Sequence, residues 1–200
     1  MRRYIMILSL LFVFISVSAC QKDSKSDKNN IEVNQNIVLQ RNFNVSSDST
    51  ELNTSAEGTI FIKEVEGTPK QIKIVAWIEI DHDDWSGVQV YIPKEWSITS
   101  IINSYPGKED SETSNKSTAI WNTASDKVEW DKYIAIGRSS SFEPTGGGTG
   151  TFVIELALDE EVISKPDLFN IMVAVGSDER DGVRISGADS IEISIPLIDN

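Results

Sequence analysis

Hydrophobic and polar residues alternate with a period of two along most of this chain of 200 residues. In the stretch QIKIVAWIEI (71–80), every second residue from Ile72 to Ile80 is apolar. Such alternation is typical of a β-strand with one buried face. The pattern recurs, between turn-forming residues, in GTIFIKEV (58–65), GVQVYI (87–92), SITSII (97–102), TAIWN (118–122), KVEWDKYIAI (127–136), TFVIELAL (151–158), LFNIMVAV (168–175) and SIEISIPLI (190–198).

About nine short strands without an amphipathic helix predict an all-β fold. We expect a single antiparallel β-sandwich over residues 37–200, of immunoglobulin-like, cohesin-like or jelly-roll type. Residues 37–57 are ambiguous, since IVLQRNFNV could be a first strand and the following SSDSTELNTSAEG is typical of a loop. The best helical candidate is one short turn before Pro166. Pro196 interrupts the last strand, which predicts that this strand lies at a sheet edge or bulges there.

The first twenty residues have the pattern of an export signal. Arg2 and Arg3 precede an apolar run, residues 4–17, that is shorter than the roughly 20 residues needed to span a bilayer. The run ends in Val17-Ser18-Ala19-Cys20, which resembles the bacterial lipobox. That resemblance implies removal of residues 1–19 and attachment of a diacylglyceryl group to the Cys20 thiol.

The resemblance also implies a location outside the cytoplasm, with the protein anchored by lipid to the cell membrane or an outer membrane. Residues 20–36 are rich in Ser, Asn, Lys and Asp, which predicts a flexible tether after the lipidated cysteine. An ordinary signal peptide followed by a chance cysteine is the alternative. Since Cys20 is the only cysteine, the sandwich must be stable without a disulfide.

Replacing Cys20 with serine tests this anchor. We expect the Cys20→Ser protein to leave the membrane fraction, because stable anchoring needs two or more acyl chains buried in the bilayer. Its melting temperature should match that of the wild-type domain. Cell fractionation measures the first effect, with Ser26→Ala in the tether as the control. A Cys20→Ser protein that remained in the membrane fraction would show the lipobox interpretation to be wrong.

The chain is strongly acidic, with 31 acidic and 18 basic residues and a net charge of −13. A polyanion has no electrostatic reason to bind nucleic acid. We therefore expect no nucleic-acid partner, and we predict a monomer whose partners are the membrane, through its lipid, and a glycan or a cell-surface protein. One histidine, His82, and one lipidated cysteine cannot form a zinc site.

Long polar loops are expected to meet at one end of the sandwich if each strand runs antiparallel to the one before it. These are residues 81–86, 103–116, 137–150 and 177–182. Acidic side chains in two of them could supply oxygen ligands to Ca²⁺, the only cofactor that the sequence suggests. The alternative is turn chemistry, in which aspartates bond their own backbone. The candidate ligands are Asp81, Asp83, Asp84, Asp178 and Asp181.

Tryptophans are the second candidate site. Trp121 and Trp130 flank a predicted turn, and an Asn122–Lys127 hairpin loop would bring the two indoles together as a platform for a sugar ring. Trp85 and Trp96 flank the strand 87–92 and could act in the same way. Core or hairpin packing is the alternative for all four tryptophans.

The stretch Gly148-Thr149-Gly150-Thr151-Phe152 resembles the glycine-rich opening of a late strand in cohesin, bacterial immunoglobulin-like and carbohydrate-binding sandwiches. The resemblance implies architecture. Together these features predict a non-catalytic binding or adhesion protein with a glycan or protein ligand, and not an enzyme. A secreted jelly-roll hydrolase acting on polysaccharide is one alternative, and a structural accessory subunit of a cell-surface complex is the other.

Overall fold

A computed structural model describes residues 37–65, 68–106, 117–123, 129–159 and 168–196. Within them the chain forms no helix long and apolar enough to cross a membrane. The signal, Cys20 and the tether lie outside the described residues, as does most of the candidate helical turn before Pro166. The strands are β1 (Ile37–Ser46), β2 (Ser55–Val65), β3 (Thr68–Ile80), β4 (Val88–Pro93), β5 (Trp96–Asn103), β6 (Thr118–Asn122), β7 (Trp130–Ile136), β8 (Gly148–Leu158), β9 (Leu168–Arg180) and β10 (Val183–Pro196).

The prediction of an all-β antiparallel sandwich is confirmed. The tenth strand is β1, which the pattern left ambiguous. The predicted loop 177–182 is mostly strand, because β9 and β10 continue as a hairpin whose turn is Asp181–Gly182. Asp181 has a φ of 53°, in the left-handed region that such a turn requires.

Two five-stranded sheets make the sandwich. The first sheet has the order β1-β2-β3-β8-β5, and the second has the order β10-β9-β4-β7-β6. Every strand pairing is antiparallel. β10 is an edge strand, as Pro196 predicted. Proline has no backbone N–H, and on the outer side of an edge strand no further strand needs one.

The alternating apolar residues form one core between the sheets. Along β3, the residues Ile72, Ile74, Ala76, Ile78 and Ile80 are all buried, as the period-two pattern predicted. Burying these side chains is the main stabilisation of the fold, at roughly 1.5–3 kcal/mol for each large aliphatic side chain. The second sheet contributes Val88, Val90, Ile92, Ile134, Ile136, Phe169, Ile171, Val173, Val175, Ile193 and Ile195 to the same core.

The loops that follow odd-numbered strands meet at one end of the sandwich, here called the loop end. Ser139 N donates to Trp85 O at 2.8 Å, and Thr145 N donates to Asp84 O at 3.2 Å. The Ser177 hydroxyl donates to Asp84 Oδ1 at 2.7 Å. These contacts join residues 81–86, 137–150 and 177–182, as the antiparallel chain order predicted.

Two further segments complete the loop end. The connection between β1 and β2 was not expected there, yet Asn53 N donates to Asp81 Oδ2 at 2.8 Å. Of residues 103–116, only 103–106 are described. Tyr105 is buried there so closely against Gly150 that a Cβ on this glycine would lie 2.7 Å from the Tyr105 backbone.

Candidate functional site

The hairpin of β6 and β7 brings Trp121 opposite Tyr133, not close to Trp130 as we predicted. Asn122 pairs with Lys132, and Thr123 N donates to Asp131 O at 2.8 Å, so the β6 side continues into the expected loop while β7 begins only at Trp130. The predicted direct pair of tryptophans is therefore wrong in register. The two indoles nevertheless belong to one surface, because other aromatic rings connect them.

Four aromatic side chains form a row on the outer face of the second sheet, in which Trp121 lies opposite Tyr133 in the β6–β7 ladder. Tyr133 directly precedes the buried Ile134, so its side chain faces outward. Its ring stacks on Tyr91 of β4, with centroids 5.0 Å apart and planes 26° apart. Tyr91 in turn meets Trp130 edge to face at 5.8 Å. The aromatic row is thus Trp121, Tyr133, Tyr91 and Trp130, running across β6, β7 and β4.

The row is exposed most at the edge strand. Trp121 keeps 42% of its surface exposed, because no further strand covers β6. Tyr133, Tyr91 and Trp130 are half-buried. The Trp130 Nε1–H donates to the Asn170 carbonyl at 2.8 Å, which holds this indole down against the sheet. The result is an aromatic surface mounted on paired strands, with Trp121 as its most exposed ring.

Hydrogen bonds fix the two tyrosines of the row. Arg138 Nη1 donates to the Tyr133 hydroxyl at 2.9 Å, and the Tyr91 hydroxyl donates to Gln89 Oε1 at 2.9 Å. Burial raises the pKa of the Tyr91 hydroxyl above its ordinary 10.0, Tyr133 raises it further, and Arg138 opposes both effects. Tyr91 therefore stays protonated at neutral pH and remains a hydrogen-bond donor.

Gln89 connects the row with the loop end. It is fully buried, and its Nε2 donates to the hydroxyls of Ser86 and Ser186, each at 3.1 Å. The Ser86 hydroxyl donates to Gly176 O at 2.8 Å. Since a buried amide without partners is costly, this network holds the sheet face and the loop end in one arrangement.

The sequence contained a signal for this row that we did not use. Tyr91 lies between the inward-facing Val90 and Ile92, and Tyr133 precedes the inward-facing Ile134. The outward position is thus aromatic in two strands that also pair with each other. The alternation therefore predicts that both tyrosines face outward, whereas their position beside Trp121 depends on the pairing of β4 with β7.

The other tryptophan candidates lie away from the row. Trp96 is 0% exposed and packs in the core on Phe169, with centroids 5.0 Å apart. Trp85 is buried at the loop end, edge to face with Phe142 at 4.9 Å. Neither indole offers a face on which a sugar could stack, which agrees with the packing alternative. Trp77 is 47% exposed, on the outer face of the first sheet.

Asp84, one of the five candidate calcium ligands, is a buried structural residue. It is 0% exposed, and its carboxylate accepts hydrogen bonds from the Thr54 hydroxyl at 2.6 Å, the Ser177 hydroxyl at 2.7 Å and Ser86 N at 2.8 Å. These three donors come from the β1–β2 connection, from β9 and from the 81–86 loop itself. Asp84 therefore holds the loop end together.

Two of the remaining candidate ligands, Asp81 and Asp178, already accept hydrogen bonds within the protein. Asp81 accepts from Asp83 N at 2.9 Å and from Asn53 N at 2.8 Å, and these two backbone hydrogen bonds lower the pKa of its carboxyl. Asp178 accepts from Arg180 Nε at 2.6 Å. Across the described parts of the chain, no three His, Cys, Asp or Glu residues are grouped so that they could hold a metal ion. Calcium binding stays a prediction.

An acidic cleft opens at the loop end. Its walls come from the β1–β2 connection, the 81–86 loop and the end of β9. Glu51, Asp83, Asp178 and Glu179 are among its lining residues. The cleft is a second concave feature, distinct from the aromatic row.

Fold and surface together define a β-sandwich with an aromatic row on one outer sheet face. No known protein family, curated protein or solved structure matches this chain. Gly148–Phe152 opens β8, but its resemblance to cohesin-type and carbohydrate-binding sandwiches stays a prediction. The function must therefore be argued from the residues of the site itself.

Proposed function

We propose that this protein binds a glycan chain on the aromatic row, without catalysis, while the lipid on Cys20 holds it at the outside of the cell. The observation that carries the proposal is the row itself, in which Trp121 is exposed and Tyr133, Tyr91 and Trp130 continue it across three strands. A sugar ring presents an apolar C–H face with hydroxyls at its rim. Aromatic rings with polar handles complement both parts of it.

Rigidity favours this surface over the loops as a binding site. The rings stand on paired strands, and hydrogen bonds from Arg138 and to Gln89 fix the two tyrosine hydroxyls. Little side-chain freedom is then lost when a ligand binds, so more of the contact energy appears as affinity. We expect the glycan chain to lie across the strands, along the direction of the row.

The test is binding of the soluble fragment 37–200 to a panel of neutral and acidic oligosaccharides. We expect Trp121→Ala to weaken binding by tenfold or more, because truncation of an aromatic anchor at a binding hot spot typically costs about 2 kcal/mol or more. Trp77→Ala is the matched control, since Trp77 is equally exposed on the other sheet. The proposal fails if no oligosaccharide binds, or if the two variants lose affinity equally.

The acidic cleft supports a second candidate, hydrolysis of a polysaccharide at the loop end. Glycoside hydrolysis uses a pair of carboxyl groups, and several acidic residues line this cleft. In this protein Asp178 bonds to Arg180, and Glu179 lies 4.0 Å from Arg184. Release of reducing ends from a bound polysaccharide, abolished by Asp178→Asn or Glu179→Gln, would favour the hydrolase over the binding protein.

A further inference from the structure

We infer that the glycan is acidic, and that the guanidinium of Arg138 binds a sugar carboxylate beside Trp121. This inference rests on the proposed function and names the class of its ligand. Arg138 follows β7 directly after Gly137, which has a φ of 71°. That turn brings the guanidinium carbon to 5.7 Å from the ring centroid of Trp121 and 5.8 Å from that of Tyr133.

The Arg138 guanidinium uses only some of its five N–H groups in hydrogen bonds to the protein. Nη1 donates to the Tyr133 hydroxyl at 2.9 Å and to the Ser186 hydroxyl at 3.4 Å, which accounts for its two N–H groups. The three N–H groups on Nε and Nη2 have no acceptor among the described residues. Nε and Nη2 form the planar fork that binds a carboxylate through two parallel hydrogen bonds.

Arg138 differs from other cations of this acidic protein. Lys73, Lys132, Arg180 and Arg184 each lie within 4.0 Å of an acidic side chain. No carboxylate in the described part of the chain lies this close to Arg138, although the sequence has 31 acidic residues. The one arginine that touches the aromatic row therefore has its positive charge available to a ligand.

The net charge of −13 opposes an acidic ligand, but it acts at longer range. At physiological ionic strength, charges farther apart than about 8 Å are largely screened. A bidentate contact to Arg138 is much shorter and is screened less. The overall charge should therefore slow the association of an acidic glycan, while the contact with Arg138 should slow its dissociation.

The experiment compares uronic acid oligomers with their methyl esters, which have the same rings without the charge. Oligomers of galacturonate, mannuronate and a glucuronate-containing polymer serve as probes of fragment 37–200. We expect at least one acid to bind about tenfold tighter than its ester at 0.15 M salt, as one charge-assisted pair provides. Arg138→Gln should remove this preference, so that the acid and its ester bind the variant with equal affinity.

Arg184→Gln is the matched control. Arg184 also packs over an aromatic ring, at 5.4 Å from the centroid of Phe142, but it lies at the loop end. Arg184→Gln changes the net charge as much as Arg138→Gln does, but it should keep the preference for the acid over the ester. Arg138→Lys should keep only part of this preference. The inference is overturned if esters bind as well as acids, or if Arg184→Gln acts like Arg138→Gln. It is also overturned if a sulfated oligomer without uronic acid binds tighter than every uronate. Failure of all oligosaccharides to bind would instead reject the proposed function, and this inference with it.

Discussion

Replacing Asp84 with alanine is expected to lower the free energy of unfolding by about 3–5 kcal/mol. The carboxylate accepts three buried hydrogen bonds, and each donor left without a partner costs about 1–3 kcal/mol. The Thr54 hydroxyl cannot simply turn to another acceptor, because its oxygen accepts a hydrogen bond from Asp81 N at 3.0 Å. Small domains have only about 5–15 kcal/mol of total stability, so the loss should be obvious.

Urea unfolding of fragment 37–200 measures this effect. Asp83→Ala is the control, because Asp83 is the exposed neighbour in the same loop, and its loss should change stability by no more than about 0.5 kcal/mol. Asp84→Asn should fall between them, since the amide keeps the shape but offers one acceptor fewer. If Asp84→Ala unfolded at the wild-type urea concentration, the loop end would not depend on this carboxylate.

The sequence predicted the strands because the pattern and the core have the same cause. Ile72 and Ile80 occur at alternate positions since one face of β3 must be buried. The clustering of loops also followed, because antiparallel neighbours send alternate connections to opposite ends. These properties depend on residues that are close together in the chain.

Pairing between distant strands could not be predicted. β3 pairs with β8, so Ile74 lies opposite Ile154, a residue far away in the sequence. No local pattern encodes this pairing. Even in the short hairpin of β6 and β7, the register depends on the length of the turn. A shift of this register is what changed the partner of Trp121 from Trp130 to Tyr133.

The roles of individual tryptophans and acids were also hidden. Trp96 and Trp121 both occur at strand ends, yet one is in the core and the other is on an uncovered edge strand. Asp83 and Asp84 are adjacent and chemically alike, but only Asp84 is surrounded by donors from other loops. Residue type at these positions is compatible with either role, and burial is decided by which element lies opposite.

Trp96 provides the second large effect. Trp96→Ala should lower the free energy of unfolding by about 3–5 kcal/mol, because it removes a fully buried indole and leaves a cavity against Phe169. Trp96→Phe should cost only about 1 kcal/mol, a value that thermal and urea unfolding can distinguish from the alanine variant. The Trp96 Nε1–H has no acceptor within the described chain, and phenylalanine removes that unsatisfied donor while keeping most of the ring.

The phenylalanine variant also separates packing from binding. Because Trp96 lies in the core and not in the aromatic row, a folded Trp96→Phe protein should bind oligosaccharides with wild-type affinity, while the equally folded Trp121→Ala protein should not. Loss of binding by a stable Trp96→Phe protein would mean that the ligand depends on the β5 end of the core, and the aromatic row would no longer explain affinity. Unchanged binding in Trp96→Phe combined with a loss in Trp121→Ala would locate the affinity on the outer face of the second sheet, since both variants remove indole surface but only Trp121 is exposed there.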